Sequence, residues 1–393
     1  MTTVPEDSAT QLTAELVQLA STPDHDQRAA IARCAERLRA AGFEVEVTRD
    51  ADRSDNLVAR WGEGGGNGGL CFTGHLDTVP VRPDEWSFDP HSGTVSEGRL
   101  LGRGSADMKA GVAATICAAE SYVNCGGPGP LSVVLTGREE VGSLGASRLA
   151  DQGLLPPASA LVVTEPTDNE PRLGHRGAVW FDIVSRGRAC HASTPQLGVN
   201  AIDALVDCLA DVRAWHTEHP DEDPLLGART MSVGRVSGGT QRNIVPDLAR
   251  AEVDVRTGNP DDVVELVSRI QAVLGDRAEA VSALTLSPVR SDPDSVVARL
   301  ARTIWTGAQQ DAGSPGGPEL APVARFFTDA SVLTPAMGGL PTLIWGPGSP
   351  DQAHTVDEYC EVGQIERATQ MFAALLRAQD EGELPLTAGA GSA

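Results

Sequence analysis

The chain has 393 residues, of which 41% are hydrophobic and 22% are charged, and its formal net charge is −23. This length exceeds one ordinary hydrophobic core, so we expect two domains. The acidic balance argues against nucleic acid as a partner, because a phosphate backbone needs clustered Lys and Arg. No apolar run approaches the roughly 18 residues that span a bilayer, so we expect no membrane segment.

The N-terminal segment MTTVPEDSATQLTAEL has neither a basic nor an apolar stretch. No signal peptide is therefore predicted, and we expect a cytoplasmic protein. The seven cysteines are an odd number and lack CxxC spacing. That pattern is typical of scattered reduced thiols, not of a disulfide framework or a zinc ribbon.

The hydrophobic periodicity of the first part of the chain alternates between short strands and helices. In chain order it predicts helices at 8–20 and 26–41, strands at 43–48, 56–61 and 70–74, a helix at 108–124, a strand at 131–136, a helix at 143–152 and a strand at 160–164. The glycine-rich segment 62–69 lacks GK[ST] and leads into a strand, so it is predicted as a hairpin loop and not as a phosphate loop. The alternation indicates an α/β layer with a largely parallel sheet.

The pattern changes after Gly177. It then predicts strands at 178–186, 229–236 and 248–256 and helices at 199–215 and 261–274, before the α/β pattern returns with a strand at 341–345 and a helix at 362–378. We therefore predict a small α+β domain, 178–288, inserted into an α/β domain made of 1–177 and 289–380. Residues 381–393 are predicted to be a disordered tail.

The segment GHLDTVP places a histidine and an aspartate just after an apolar strand. Functional side chains in open α/β sheets gather at the carboxyl ends of strands. His75 and Asp77 are two residues apart on an extended chain, so their side chains point the same way. Asp77 could then hold one ring nitrogen of His75 while the other nitrogen binds a metal. The alternative is a strand-end turn with a capping aspartate.

The segment GRGSADMKAG leads into the predicted helix at 108–124. Its Asp107 either caps that helix or serves as a bridging metal ligand, since the flanking glycines allow close backbone approach. The residues alone leave both interpretations open.

Three other candidate segments also follow apolar strands. In TGREEVG, Glu139 and Glu140 are either a solvated pair or divide two roles, one binding metal and the other taking a proton from water. Glu165 and His354 each follow another apolar strand. Two histidines and three carboxylates suit a pair of divalent cations that share one carboxylate. This ligation without cysteine leaves zinc, cobalt and manganese open, with zinc favoured by availability.

This combination of segments resembles the co-catalytic metallopeptidase and deacylase family that includes acetylornithine deacetylase, succinyl-diaminopimelate desuccinylase and bacterial glutamate carboxypeptidase. The resemblance extends from about residue 10 to 378. It implies that the larger domain is catalytic, that Glu139 is the general base and that Asp77 orients His75. It also implies two metal ions, the first held by His75, Asp107 and Glu165 and the second held by Asp107, Glu140 and His354.

The same resemblance assigns roles to the inserted domain. It implies a dimerisation (lid) domain and a homodimer in which His191 stabilises the oxyanion in the neighbouring protomer's active site. Asn243 and Arg256 resemble residues that bind polar groups of the substrate, and an arginine suits a bidentate grip on a carboxylate. The residues alone would make His191 a surface histidine and Arg256 a member of a surface ion pair.

Among the branches of this family, the segments GGTQRNIVP and GPGSPDQAH most resemble acetylornithine deacetylase. His175 also resembles that branch, because the desuccinylase has a substrate-binding arginine there, and we assign His175 to substrate binding. Two departures stand out: Arg138 replaces an aspartate, and Phe326 and Phe327 replace small residues. The two phenylalanines either pack in the core or narrow the substrate pocket.

We therefore expect a metallohydrolase that cleaves the amide bond of a small-molecule N-acyl amino acid. A dipeptidase, a carboxypeptidase or a desuccinylase would use the same metals and remains an alternative. A catalytically silent binding homologue is a further interpretation. The complete set of ligands and base argues against it, because a silent homologue is expected to have lost at least one member.

Overall fold

The computed structural model describes residues 8–50, 52–62, 68–311 and 323–381. The chain divides into two compact units. The first comprises the described parts of Met1–Gly174, Arg290–Ala324 and Thr328–Ala393, and the second comprises His175–Val289 with Arg325–Phe327. The predicted tail lies outside the described residues, apart from residue 381.

The strands form a largely parallel six-stranded sheet in the first unit, a four-stranded antiparallel sheet in the second and several smaller sheets. They are β1 Glu44–Thr48, β2 Asn56–Trp61, β3 Leu70–His75, β4 Thr94–Ser96, β5 Arg99–Leu101, β6 Leu131–Thr136, β7 Ala160–Val163, β8 Gly174–His175, β9 Gly177–Arg186, β10 Glu222–Asp223, β11 Gly227–Ala228, β12 Thr230–Gly238, β13 Leu248–Thr257, β14 Glu279–Leu286, β15 Val289–Arg290, β16 Thr342–Ile344 and β17 Tyr359–Glu361. The α-helices are α1 Ala9–Gln18, α2 Arg28–Ala40, α3 Ala110–Asn124, α4 Leu144–Asp151, α5 Ala201–Glu218, α6 Pro260–Leu274, α7 Val296–Asp311, α8 Ala330–Ala336 and α9 Val362–Asp380.

The main sheet of the first unit has six strands in the order β1-β2-β6-β3-β7-β16. The pairs β6–β3, β3–β7 and β7–β16 are parallel, whereas β1–β2 and β2–β6 are antiparallel. Every residue of β3, β6 and β7 is buried, as expected for central strands covered by helices on both faces. The predicted α/β class with a largely parallel sheet is confirmed.

The predicted hairpin between the strands at 56–61 and 70–74 is wrong. β6 lies between β2 and β3 and pairs antiparallel with the first and parallel with the second. A hairpin needs two adjacent antiparallel strands, and here the apolar β6 takes the place between them. Residues 63–67 of the predicted loop lie outside the described residues.

The apolar helix α3 packs closely on this sheet. A Cβ atom on Gly111, in its first turn, would lie 1.9 Å from the carbonyl oxygen of Thr164, which follows β7. The absence of a side chain at Gly111 therefore permits the close approach between the start of α3 and the end of β7. On α9, Phe372 contacts Phe72 of β3, with ring centroids 5.3 Å apart.

The second unit is an antiparallel sheet in the order β12-β13-β9-β14 with helices α5 and α6. Alternate residues of β9 and β13 join apolar residues of the helices in one buried core, including Phe181, Val253, Leu205 and Ile270. β12 is an edge strand, and most of its residues are exposed. Among the described residues, no helix combines the length and apolarity needed to cross a bilayer.

Candidate metal centre and active site

The carboxyl ends of three parallel strands bring three of the five predicted ligands and the predicted base to one edge of the main sheet. His75 ends β3 and lies opposite Thr136, the last residue of β6. Glu139 and Glu140 follow β6, and Glu165 follows β7. Because parallel strands end at the same edge, the direction of these strands gathers the side chains.

His75 faces two carboxylates with one ring nitrogen. Its Nε2 lies 3.1 Å from Oδ1 of Asp107 and 3.6 Å from Oε1 of Glu165. Its Nδ1 lies 2.9 Å from the carbonyl oxygen of Asp77. A carbonyl oxygen can only accept, so Nδ1 carries a proton and Nε2 is the nitrogen available to a cation.

His354 and Glu140 form a second group on the other side of Asp107. The Nε2 atom of His354 lies 3.0 Å from Oε2 of Glu140 and 3.3 Å from Oδ2 of Asp107. Asp107 thus directs one carboxylate oxygen to each histidine. In each of the two groups, the candidate ligand atoms lie within 4.8 Å of one another.

The electrostatics of this cluster require positive charge. Burial, together with the neighbouring carboxylates, raises the pKa of Glu139 and of Glu165 well above the usual range. Hydrogen bonds to Asp107 and Glu140 raise the pKa of His354 to about 10. Carboxylate oxygens and imidazole nitrogens are the ligand atoms that bind divalent cations such as zinc in proteins. The residues therefore fit two metal ions that share Asp107.

Asp77 holds the two glutamates through their backbone. Its carboxylate oxygens each accept a hydrogen bond, from the N–H of Glu139 and of Glu140, both at 3.1 Å. Its Oδ1 lies 3.6 Å from Nδ1 of His75, farther than its own carbonyl oxygen. The side chain of Asp77 therefore positions the residues after β6, and its carbonyl group holds the ring of His75.

Glu139 lies in the segment after β6 and has one carboxylate oxygen without a partner. It is 5% exposed, and its Oε1 atom is buried without a hydrogen-bond partner in the described part of the chain. A buried carboxylate with a raised pKa and an open oxygen is suited to accept a proton.

Two buried carboxylates near the cluster were not predicted from the sequence. Asp329 accepts a hydrogen bond from Oγ1 of Thr136 at 2.5 Å, and burial raises its pKa to about 6. Glu358 accepts hydrogen bonds from the loop that carries Asp107. The only available signal for Glu358 was its position four residues after His354.

In the second unit, the structure brings His191 and Asn243 together. Residues 191 and 244 form an isolated β-bridge, and the carbonyl oxygen of Asn243 accepts the N–H of Ala192 at 3.0 Å. Both side chains belong to exposed residues. The Nδ1 atom of His191 lies 2.6 Å from Oγ of Ser193.

Arg256 forms an ion pair, as one of the two sequence interpretations had it. Its Nε and Nη2 atoms donate to the two carboxylate oxygens of Asp254 at 2.8 and 3.0 Å. Its guanidinium lies 5.1 Å from the ring centroid of Phe327, and that ring packs against Trp180. Phe327 thus contributes to an aromatic and cationic cluster within the second unit.

The other two residues singled out from the sequence lie in different surroundings. His175 is buried, and burial lowers its pKa to about 4. Its Nδ1 atom lies 3.0 Å from the carbonyl oxygen of Arg176 and donates to it, which fixes the orientation of the ring. Arg138 contacts Asp52, with 3.4 Å between Nη1 and Oδ2.

Comparison with known proteins relates this architecture to a family of peptidases. The model of peptidase family M20/M25/M40 matches residues 71–378. The acetylornithine deacetylase of Vibrio vulnificus is 29% identical over 364 residues, covering 91% of this chain and 93% of that protein. A protein of Staphylococcus epidermidis named as a probable succinyl-diaminopimelate desuccinylase is 28% identical over 395 residues, covering 91% of this chain and 94% of its own length.

Solved structures share the fold at lower identity. A metallo-carboxypeptidase of the M20 family from Sulfolobus solfataricus has a TM-score of 0.76 at 17% identity, with 95% of this chain and 99% of that chain covered. A dinuclear metal-binding peptidase from Bacillus subtilis has a TM-score of 0.68 at 16% identity, with 95% and 98% covered.

Proposed function

This chain belongs to peptidase family M20/M25/M40, and we propose that it is an N-acyl-amino-acid deacylase that works with two divalent metal ions, zinc or cobalt. Membership of this family identifies the chain as a metallohydrolase that acts on amide bonds. The observation that carries the proposal is Asp107, whose two carboxylate oxygens face His75 and His354. The unpaired carboxylate oxygen of Glu139 supports it.

In this proposal, His75, Asp107 and Glu165 hold the first ion, and Asp107, Glu140 and His354 hold the second. When bound there, the two ions would supply Lewis acidity toward the amide carbonyl and toward the attacking water. Glu139 would accept a proton from the attacking water and deliver it to the departing amine. Asp77 keeps the Glu139 backbone in place by accepting its N–H, which fixes the carboxylate relative to the ligands.

The second unit supplies the remaining groups. We assign to His191 of the partner subunit the hydrogen bond that stabilises the oxyanion, and to Asn243, Arg256 and His175 the polar groups of the substrate. A homodimer is required by this assignment. The edge strand β12, which leaves one row of main-chain groups unpaired with any described strand, and the exposed Val236 on it support a contact between two copies through this unit.

The ion pair of Arg256 bears on the substrate. Asp254 occupies two of the guanidinium's N–H directions, so a carboxylate of the substrate either takes the remaining Nη1 or displaces Asp254. The ring of Phe327 beside this group favours an apolar portion of the substrate there. We therefore propose N-acyl amino acids as a class and leave acetylornithine as one member of it.

A substrate panel tests this function. Zinc-loaded and cobalt-loaded enzyme are offered N-acetyl amino acids, N-succinyl amino acids and dipeptides, and amine release is measured. We expect kcat/KM to be highest within the N-acetyl series. Higher values for dipeptides would make the chain a peptidase, and no turnover in any series would support a silent binding homologue.

A further inference from the structure

Glu358 is a buried carboxylate whose partners all lie in the loop before α3. It is 0% exposed. Its Oε2 atom accepts hydrogen bonds from Nη1 of Arg103 at 2.5 Å and from the N–H of Gly104 at 2.9 Å. Its Oε1 atom accepts the N–H of Ala106 at 2.8 Å and the N–H of Asp107 at 3.1 Å. A single carboxylate thus fixes the backbone of the residue that both metal groups share.

Arg103 connects Glu358 and the loop of Asp107 to the segment that contains His354. It is 4% exposed, and its guanidinium lies 5.1 Å from the ring centroid of Trp86. Its Nη2 atom donates to the carbonyl oxygen of Thr355 at 3.0 Å. Thr355 directly follows His354, so the Arg103–Glu358 pair ties the loop of Asp107 to the segment of His354.

The four donors around Glu358 require a negatively charged hydrogen-bond acceptor. Four donors converge on the two oxygens of Glu358, and one of them is a buried guanidinium, so a neutral amide in this place would turn an N–H₂ group toward donors. Removing the carboxylate charge would also leave Arg103 buried without its counter-charge. The Glu358–Arg103 pair therefore fixes the conformation of the loop that carries Asp107, in addition to filling buried space.

We propose that Glu358 is a positioning residue that sets the distance between Asp107 and His354 and thereby the affinity of the chain for its second metal ion. The inference rests on the two-metal assignment made above. Asp107 belongs to both metal groups and His354 only to the second. The side chain of His354 is 53% exposed and that of His75 is 2% exposed, so we assign the weaker, second binding step to the group of His354 and expect that step to respond more than the first. Loss of groups that orient metal ligands typically costs about 10–100-fold in metal affinity.

The test is stepwise zinc binding to the metal-free protein, measured by competition with a chromophoric chelator, which needs no activity. We expect Glu358→Gln to weaken the second step by about 10–100-fold and the first step by less. Arg103→Lys keeps the charge but not the guanidinium fork, so it should weaken the second step less than Glu358→Gln. It also serves as the test if Glu358→Gln fails to fold.

Asp262→Asn is the matched control. Asp262 is likewise 0% exposed and pairs with a buried arginine, Arg229, at 3.1 Å, but it lies in the second unit. The Asp262→Asn substitution should lower the midpoint of denaturant unfolding and leave both zinc-binding steps unchanged. Unchanged zinc binding in both Glu358→Gln and Arg103→Lys would overturn the inference, as would equal weakening by Asp262→Asn. Fewer than two zinc ions on the wild-type chain would instead contradict the two-metal function, and the inference with it.

Discussion

At the scale of single residues, the site divides between side chains that can bind metal and side chains that hold them in place. The candidate ligands could be predicted because each is a histidine or carboxylate in a segment that ends or follows an apolar strand or leads into a helix, and the family resemblance arranged them in two groups. Glu358 could not be predicted in this way, because its partners are mainly backbone N–H groups. The direction of a backbone N–H group depends on the folded chain and cannot be read from the order of side chains in the sequence.

Replacing Glu139 by alanine should separate proton transfer from metal binding. Its open oxygen is not within either group of candidate ligands, so metal content should stay near that of the wild type. Turnover should fall about 10²–10⁴-fold, the usual cost of losing a general base. Elemental analysis and steady-state kinetics measure the two effects, with Glu36→Ala on the exposed face of α2 as control. Turnover close to wild type would exclude Glu139 as the base.

His175 should make the folded chain sensitive to acid. Burial lowers its pKa to about 4, whereas a histidine in the unfolded chain titrates near 6.5. Between these values the unfolded state binds a proton that the folded state does not, so the free energy of unfolding should fall as the pH decreases from 6.5 to 4. One such proton contributes a slope of up to about 1.4 kcal/mol per pH unit.

The comparison with His175→Asn isolates that slope, because the other titrating groups are common to both proteins. Asparagine keeps an N–H donor but takes up no proton in this range. Urea unfolding between pH 7 and 4.5 should show a shallower loss of stability in the variant. Parallel curves for the two proteins would show that the imidazole does not stay neutral in the folded chain.

At the scale of elements, local periodicity predicted most strands and helices near the site but not the order of the strands. β2 and β3 are separated by β6, and this pairing depends on contacts between residues far apart in the sequence. The helices α7 and α8 and the strand β14 were not predicted, nor were the short strands β4, β5, β8, β10, β11, β15 and β17. The contribution of Arg325–Phe327 to the second unit is also non-local, because its neighbours on both sides belong to the first.

Gly111→Ala should disturb the contact between α3 and β7. The new Cβ atom would meet the carbonyl oxygen of Thr164 at 1.9 Å, so the helix must shift, at a typical cost of about 1–3 kcal/mol. The matched control is Gly307→Ala in α7, where the added atom meets nothing within 4 Å. Alanine should stabilise that helix by roughly 0.5–1 kcal/mol. Equal effects of the two substitutions in urea unfolding would contradict the close approach.

For the whole molecule, the role proposed for His191 requires two copies of the chain. If His191 acts in the active site of its partner, a mixture of Glu139→Ala and His191→Ala chains should recover activity that neither has alone. With random pairing, about half the dimers are mixed and each has one intact site of two, so activity should approach roughly one quarter of wild type. Sedimentation verifies the dimer and subunit exchange. No recovery despite exchange would place His191 in its own chain's site or outside any site.

Zinc titration of the metal-free protein decides whether two metal ions support hydrolysis. Metal-free protein is titrated with zinc while hydrolysis of an N-acetyl amino acid is measured. If Asp107 is shared between two ions, activity should be absent without metal and reach its maximum at about two equivalents per chain, and a chelator should abolish it. Full activity in the metal-free protein, or a maximum already reached at one equivalent, would contradict the two-metal account.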